Sequence, residues 1–494
     1  MPEDNVEGHA ARSRHDAVAV LRVYATENVM EEIRILSPTG VCGSGFVESS
    51  FEKALTQKPD FIGCDAGSTD PGPEFLGSGR TAFPADAIRR DLRLMLLGAR
   101  RLKIPLLIGS AGTGGNDTQL DLMHRLIREI AVAEGLRFKL ALIHAEQDKA
   151  YLKKRLREGR IKPLSPAPRF DAAVIDRSEH IVGMMGAEPF QRALDAGADV
   201  VLAGRASDTA IFAAAPIMRG FPEGIAWHAA KILECGAASV VLRKTPDCMF
   251  AWVRKDHFVV EAPDSQLRCT PQSIASHSLY ENADPFRLVE CSGTLDLTHS
   301  RYEALTERSV KVSGSEFIPA QRYTVKLEGA ERVGFQSILI GSIRDPFIIR
   351  QIDDWTARLE EKIHNRVAMV YGEKLRAEDY LLHIRIYGKN GTMGPLEPVK
   401  EIRSHELCLA FEVTAPTQDI ASTIAAIIRH QALHLPIPEW SGLITAVACP
   451  YNPLDRGAVY RFNVNHVMEP DEPCEMFPME IFDVNRETER KVAA

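Results

Sequence analysis

Along the first half of the chain, apolar positions gather into short continuous runs. Each run closes on small or glycine-rich residues and is followed by a stretch with helical periodicity. The runs are RILSPTG, DFIGCDAG, IPLLIGSAGTGG, FKLALIHAE, AAVIDR and ADVVLAGRAS. Between them lie segments such as FVESSFEKALTQ, AFPADAIRRDLRLMLLGARRL and DTQLDLMHRLIREIAVAEG. Continuous apolar runs suit parallel strands buried on both faces, and the spacing of about 25–45 residues is that of βα units. Residues 34–245 are therefore expected to form an α/β body, a mainly parallel sheet flanked by helices. Six good strands are readable, short of the eight that a TIM barrel needs.

The texture changes after Ala230. MFAWVRKDHFVVEA, RLVECSGTLDL, QRYTVKLEGA and VGFQSILIGSIRD are β-rich, and RQIDDWTARLEEKIHNRVAMVYG is an amphipathic helix, so 246–375 reads as an α+β extension of the body. From Asp379, YLLHIRIYG, LCLAFEVTA, DIASTIAAIIRHQALH and GAVYRFNVNHVM follow a β–β–α–β pattern. It predicts a ferredoxin-like α+β domain over 379–494, with a charged boundary near 372–379. Residues 1–33 read as a polar N-terminal extension.

Composition narrows the partners. The 494 residues carry 59 Lys+Arg against 67 Asp+Glu, a net charge of −8, which argues against nucleic acid or an anionic membrane as partner. No apolar run approaches the roughly 20 residues that span a bilayer, and the N-terminus lacks a signal-peptide core. The nine cysteines include no C-x-x-C pair, which fits reduced thiols in a cytoplasmic protein. The expected partner is a small molecule, and a homo-oligomer is the expected assembly, since two-domain α/β enzymes often associate through a small α+β module.

Ligands of open parallel sheets bind beyond the carboxyl ends of the strands. Gly40–Gly45, with Gly43 at its centre, and Gly109–Asp117, with Gly109, Ser110, Gly112, Thr113, Gly114 and Gly115, can offer backbone N–H groups to an anion. Turn formation and helix capping by Asn116 or Asp117 are the plainer alternatives. Neither loop has the spacing of a P-loop or a dinucleotide fingerprint, so ATP and NAD are not favoured. The loop after DFIG carries Asp65, Ser68 and Asp70, which suit proton transfer, hydroxyl recognition or a hard cation. His144 and Glu146 lie two apart on an extended segment and can share a side as an acid–base or ligand pair. Arg205 at a strand mouth can hold a carboxylate, or simply pair with Asp208. Asp176 and His180 close another candidate strand, and Gly183–Glu188 opens the helix after it. His228 reads as a helix-face residue.

The segments DFIGCDAGSTDPGP, DVVLAGRASDTAIFAA, GIAWHAAKILECGA and TPQSIASHSLYENADP together resemble the acyclic terpene utilisation AtuA-like family, named for a gene cluster of bacterial citronellol and geraniol breakdown. The resemblance covers most of 34–375, and the C-terminal unit is similar to the ferredoxin-fold domain that accompanies the family. It implies catabolism of branched acids and acyl-CoA compounds but supplies no established catalytic residue; it adds Glu281 and Asn282 as hydrogen-bonding candidates, with a cap before Pro285 as the plainer role. The expectation is an enzyme acting on a small carboxylate or its acyl-CoA ester by lyase or hydratase chemistry. Asp65, Asp70, His144 and Glu146 would move protons, the glycine loops, Ser68, Arg205 and Asp208 would bind substrate, and a divalent metal is left open. The alternatives are a hydrolase with Ser68, Ser110 or Cys64 as nucleophile, lacking a G-x-S-x-G elbow, and a non-catalytic ligand-binding or assembly subunit.

Overall fold

The computed structural model describes residues 31–439 and 447–485; the expected extension 1–33 lies almost wholly outside them. In chain order the strands of the body are β1 (Glu32–Ser37), β2 (Phe61–Asp65), β3 (Leu106–Gly109), β4 (Phe138–Ile143), β5 (Ile161–Pro163), β6 (His180–Met184) and β7 (Val200–Ala203). β8 (Met249–Arg254), β9 (His257–Glu261), β10 (Arg287–Glu290), β11 (Gly293–Asp296), β12 (Arg301–Ala304), β13 (Ser309–Ser313) and β14 (Glu316–Pro319) follow. The last are β15 (Val325–Ile343), β16 (Leu381–Tyr387), β17 (Leu407–Ala415), β18 (Leu454–Met468) and β19 (Met479–Val484).

The main sheet has ten strands in the order β12-β13-β9-β8-β1-β2-β3-β7-β4-β19. β1, β2, β3, β7 and β4 are mutually parallel, as their apolar runs imply. Both flanks are antiparallel, so the sheet is mixed and the mainly parallel expectation is corrected. Only Lys255 and Asp256 separate β8 from β9, and so short a connection returns a strand only antiparallel to the one before. β19 comes back from the far end of the chain to close the other flank against β4. Neither edge meets the other, so there is no barrel.

Alternate side chains of the central strands feed two cores. Leu36, Ile62, Cys64 and Leu106 face the helices Glu48–Thr56, Ala85–Leu102 and Asp117–Glu134. Ile35, Phe61, Leu107 and Val201 face the helices Glu188–Asp195, Ala210–Met218 and Glu223–Leu233. This inside-on-both-faces packing is why the runs show no polar alternation.

AAVIDR is helix, not strand. Asp171 caps Ala172–Arg177 by accepting from the Val174 N–H at 3.0 Å, and Val174 and Ile175 turn inward. A six-residue apolar run is too short for its period to decide between the two. The strand in that stretch is β6, which His180 opens rather than closes, and it pairs with β15 outside the main sheet.

QRYTVKLEGA and VGFQSILIGSIRD, read as two runs, form the single strand β15 of 19 residues, bent by register shifts at Gly329/Ala330, Arg332/Gly334 and Gln336/Ser337. It lies in a six-stranded sheet along β16-β17-β15-β18-β5, with β6 beside its first half. The helices Ile352–Tyr371 and Gln418–Leu433 cover this sheet around Trp355, Leu359, Phe411 and Ile424. Residues 379–494 therefore do not stand as a self-contained ferredoxin-like unit: their sheet takes its central strand from 325–343 and gives β19 to the main sheet.

Gly115 shows how tightly the strand ends pack. At φ +67°, a Cβ there would lie 2.1 Å from the Arg205 nitrogen. Gly135, at φ +65°, has nothing within 4 Å. Gly135→Ala is expected to cost about 1–2 kcal/mol for the left-handed backbone alone. Gly115→Ala is expected to cost about 1–3 kcal/mol more for the overlap. Urea unfolding midpoints of the two variants check this; equal losses would mean the close approach is not constraining.

Candidate functional site

The loop after β7 carries Arg205 inward. Its backbone N–H donates to the Gly115 carbonyl at 3.1 Å, tying this loop to the one after β3. The guanidinium is buried. Nε donates to Glu328 of β15 at 2.8 Å; Nη1 donates to Ser110 Oγ at 3.1 Å, the Ala206 carbonyl at 2.8 Å and Asp208 Oδ1 at 3.2 Å. Nη2 has no hydrogen bond among the described residues. Burial disfavours an ionised Glu328, yet Arg205 and Lys326 outweigh it and hold the carboxyl down to about 2.

Around this ion pair stand carboxyls that no cation fully satisfies. Asp65, 3% exposed at the end of β2, accepts from the Gly67 N–H through Oδ2 at 3.0 Å, while Oδ1 is buried without a partner. Burial, with the charge of Asp208 beside it, pushes Asp65 well above the carboxylate range. Burial also raises Asp208 against the pull of Arg205. Glu290, 4% exposed at the end of β10, takes a short bond from Thr209 through Oε1 and leaves Oε2 buried and unpartnered; burial lifts it to about 7. Glu234, just past the helix Glu223–Leu233, accepts from Lys231 Nζ at 2.6 Å, and burial still raises it to about 8.

These groups enclose a cavity of about 290 Å³, lined by Arg205, Asp208, Lys231, Glu234, Glu290 and Lys326 together with Asp70, Glu281 and Asn282. A second cavity of about 660 Å³ opens on the other side of residues 234–235, between the Thr39–Ser44 loop and the helix Pro271–Ser278. Thr270 caps that helix through the Ser273 N–H, with Pro271 in its first turn. His277 lines the larger cavity, stacks on Tyr280 at 5.8 Å, and has Nε2 buried without a partner.

Among the sequence candidates, Asp70, Arg205, Asp208, Glu281 and Asn282 thus line the smaller cavity, and Asp65 stands behind it, within the influence of Asp208 and Arg205. Ser68 bonds Asp70 at 2.7 Å on the exposed side of its loop. Asn282 Nδ2 also donates to the Ser278 carbonyl at 3.0 Å, so its capping role is realised as well. Much of the backbone of the glycine loops is taken up within the protein. Gly43 N–H donates to Asp91 at 2.8 Å, a buried carboxylate of the protein itself. In the Gly109–Gly115 loop, Ser110 and Ala111 donate to the Gly204 and Ala203 carbonyls, Thr113 donates to Ser110, and Gly112 donates to Met123 Sδ. Gly109 and Gly114 serve close packing against Ile211 and Leu76, and Asn116 and Gln119 form a capping box on the next helix. Ser110 supports Arg205.

His144 and Glu146 sit apart from both cavities and do not bond each other. His144 bridges Asp117 at 2.8 Å and Glu480 of β19 at 3.0 Å, because β4 lies next to that returning strand. Glu146 takes His180 Nδ1 at 2.6 Å and the Asp117 N–H at 3.0 Å. Asp176 bonds Lys153, and Glu188 accepts from the Tyr323 hydroxyl at 2.7 Å. His228 is packed between Ser315 and Ser278, and burial drops it to about 3. Cys64 is buried and donates to the Asp65 carbonyl at 3.2 Å. Neither Ser68, Ser110 nor Cys64 bonds a histidine among the described residues.

Lys231, Glu234, Glu290, Glu328 and His277 went unremarked in the sequence as site residues. Lys231 and Glu234 had a signal, being charged positions three apart in the otherwise apolar segment GIAWHAAKILECGA. Glu290 and Glu328 had none, since they arrive from strands far along the chain.

A family model described as acyclic terpene utilisation family protein AtuA matches residues 98–241 and 253–450. No curated protein and no solved structure was found to match the chain.

The bond from Asp117, against the effect of burial and with Glu480 adding to it, raises His144 from 6.5 to about 9. A raised histidine stabilises the fold in full below about 6.5 and loses that contribution as pH rises through about 9. The melting-temperature advantage of the wild type over His144→Gln is therefore expected to shrink across that interval. A constant difference would contradict the charged bridge.

Proposed function

The chain belongs to the acyclic terpene utilisation AtuA family, and on that premise we propose that it is a catabolic enzyme acting on a small branched organic acid or its acyl-CoA ester by acid–base, hydratase-type chemistry. The observation that carries this reading is Glu290: a carboxyl lifted to about 7, with one oxygen unpartnered, on a polar cavity of about 290 Å³. A base with that affinity exchanges protons readily near neutral pH. Asp65, raised well above the carboxylate range by burial and by the charge of Asp208, is the complementary acid in this reading.

In this reading the substrate's carboxylate or thioester carbonyl meets Arg205 Nη2 and Lys326 in the smaller cavity. Hydration of a conjugated double bond then balances simply. Glu290 takes a proton from water as the water oxygen bonds the β-carbon, and the electron pair of the double bond takes the proton of Asp65 at the α-carbon. The reverse is dehydration. Asp208 and Glu328 hold Arg205 in place, while His144 and Glu146 support the β4 edge. The hydrolase alternative loses ground because its candidate nucleophiles lack a histidine base.

The test is turnover of unsaturated and hydroxylated branched acids and their CoA esters by the purified chain, with proton exchange into substrate followed by NMR in D₂O. Glu290→Gln and Asp65→Asn are each expected to lower kcat by about 10²–10⁴-fold. Hydration is expected to rise with pH through about 7 as Glu290 ionises. Undiminished turnover in both variants would overturn the proposal, and so would the absence of both turnover and exchange with every substrate, which would favour a ligand-binding or assembly subunit.

A further inference from the structure

Between the two cavities, helices Glu223–Leu233 and Pro271–Ser278 bring three residues together that the acid–base reading does not use. Glu234 and Cys235 follow the end of the first helix, and His277 is the penultimate residue of the second. One ligand atom from each lies within 4.8 Å of the others. We propose that Glu234, Cys235 and His277 form a binding site for a zinc-class divalent cation in the wall shared by the two cavities.

Neither ring nitrogen of His277 bonds another described residue, and Nε2 is wholly buried although the residue is only 8% exposed. A buried imidazole nitrogen without a partner is costly and calls for an explanation. The Cys235 thiol makes no hydrogen bond among the described residues. Glu234 gives one oxygen to Lys231 Nζ at 2.6 Å and has the other free. All three converging residues thus keep a donor that no other described residue takes.

The donor set favours zinc over magnesium or calcium. Thiolate, imidazole and a single carboxylate oxygen match a borderline-soft ion, whereas the hard cations take oxygen ligands. Tetrahedral zinc with ligand bonds of about 2.0–2.3 Å places its ligand atoms roughly 3.5 Å apart. Three protein ligands leave a fourth position open, the arrangement of zinc sites that bind a small ligand. The charge of Arg205 is matched by Glu328 and that of Lys231 by Glu234, while Arg243 is a further cation acting on His277. Lys231 then acts as the outer partner that orients the Glu234 carboxylate. Cys235 and His277 line the larger cavity and Glu234 the smaller, so an ion here would touch both.

The inference does not rest on the acid–base reading, and its test reads metal instead of turnover. The full chain, freed of metal by a chelator, is titrated with Zn²⁺ against a chromophoric competitor and with Co²⁺ for the thiolate-to-cobalt charge-transfer band. One equivalent per chain and a charge-transfer band are expected. His277→Ala is expected to weaken Zn²⁺ binding by at least about 100-fold, beyond the loss typical of an outer-shell partner. Cys235→Ser is expected to abolish the band, while Cys449→Ser keeps it. Should either site variant fail to fold by circular dichroism, the wild type decides: Zn²⁺ is expected to protect Cys235 from iodoacetamide, mapped by mass spectrometry. No stoichiometric Zn²⁺ binding, an unchanged band in Cys235→Ser, or unaltered Cys235 alkylation overturns the site.

Discussion

The buried guanidinium of Arg205 is the interaction on which the rest of this structure depends. It projects from the end of β7 in the main sheet and meets Glu328 on β15 of the second sheet, both 6% exposed at the side chain. Desolvating two such charges costs several kcal/mol per ion before their attraction is counted. The cost is offset because Ser110, the Ala206 carbonyl and Asp208 accept from Nη1 and Lys326 bonds the second oxygen of Glu328, leaving Nη2 as the donor without a protein partner among the described residues. Leaving either charge alone would be strongly destabilising, so the two sheets are held in one relation by a contact that tolerates little change. The glycine loop after β3 follows from it, since Gly115 has no side chain where Arg205 passes.

That same pair sets the electrostatics of the cavity. Glu328 takes up much of the charge of Arg205, so Asp65, Asp208 and Glu290 do not have it to themselves. Burial then dominates their ionisation, raising Asp65 and Asp208 above their usual range and lifting Glu290 to about 7. An acidic protein can in this way present a cavity rich in carboxyls without a repulsive field toward an anionic substrate. The overall charge of −8 says little about this site.

How much of this was legible in the sequence follows from distance along the chain. The parallel strands announce themselves because burial on both faces leaves continuous apolar runs, and the loops just after them carry Asp65, Arg205 and Asp208 in plain view. The partners that give these residues their properties are remote. Glu328 is 123 residues from Arg205, and Glu290 is 81 from Thr209. Neither leaves a local trace. The same remoteness hid β19, whose Glu480 joins Asp117 in bonding His144. The glycine loops are ambiguous for a different reason: a glycine that lets a ligand approach and one that lets another strand end approach look alike in sequence, and at Gly109 and Gly115 the close neighbours belong to the protein. AAVIDR and β15 show the limits of pattern length, the first too short to display its period and the second broken in appearance by bulges.

The central claim is that the cavity beside Arg205 holds carboxyls that keep their protons near neutral pH. Infrared spectroscopy of the full chain in D₂O, compared with Glu290→Gln across the pH range, addresses it directly. The account expects a protonated-carboxyl stretch that titrates near 7 in the wild type and is missing from the variant. A wild-type spectrum with every carboxyl ionised by pH 6, indistinguishable there from that of Glu290→Gln, would contradict it.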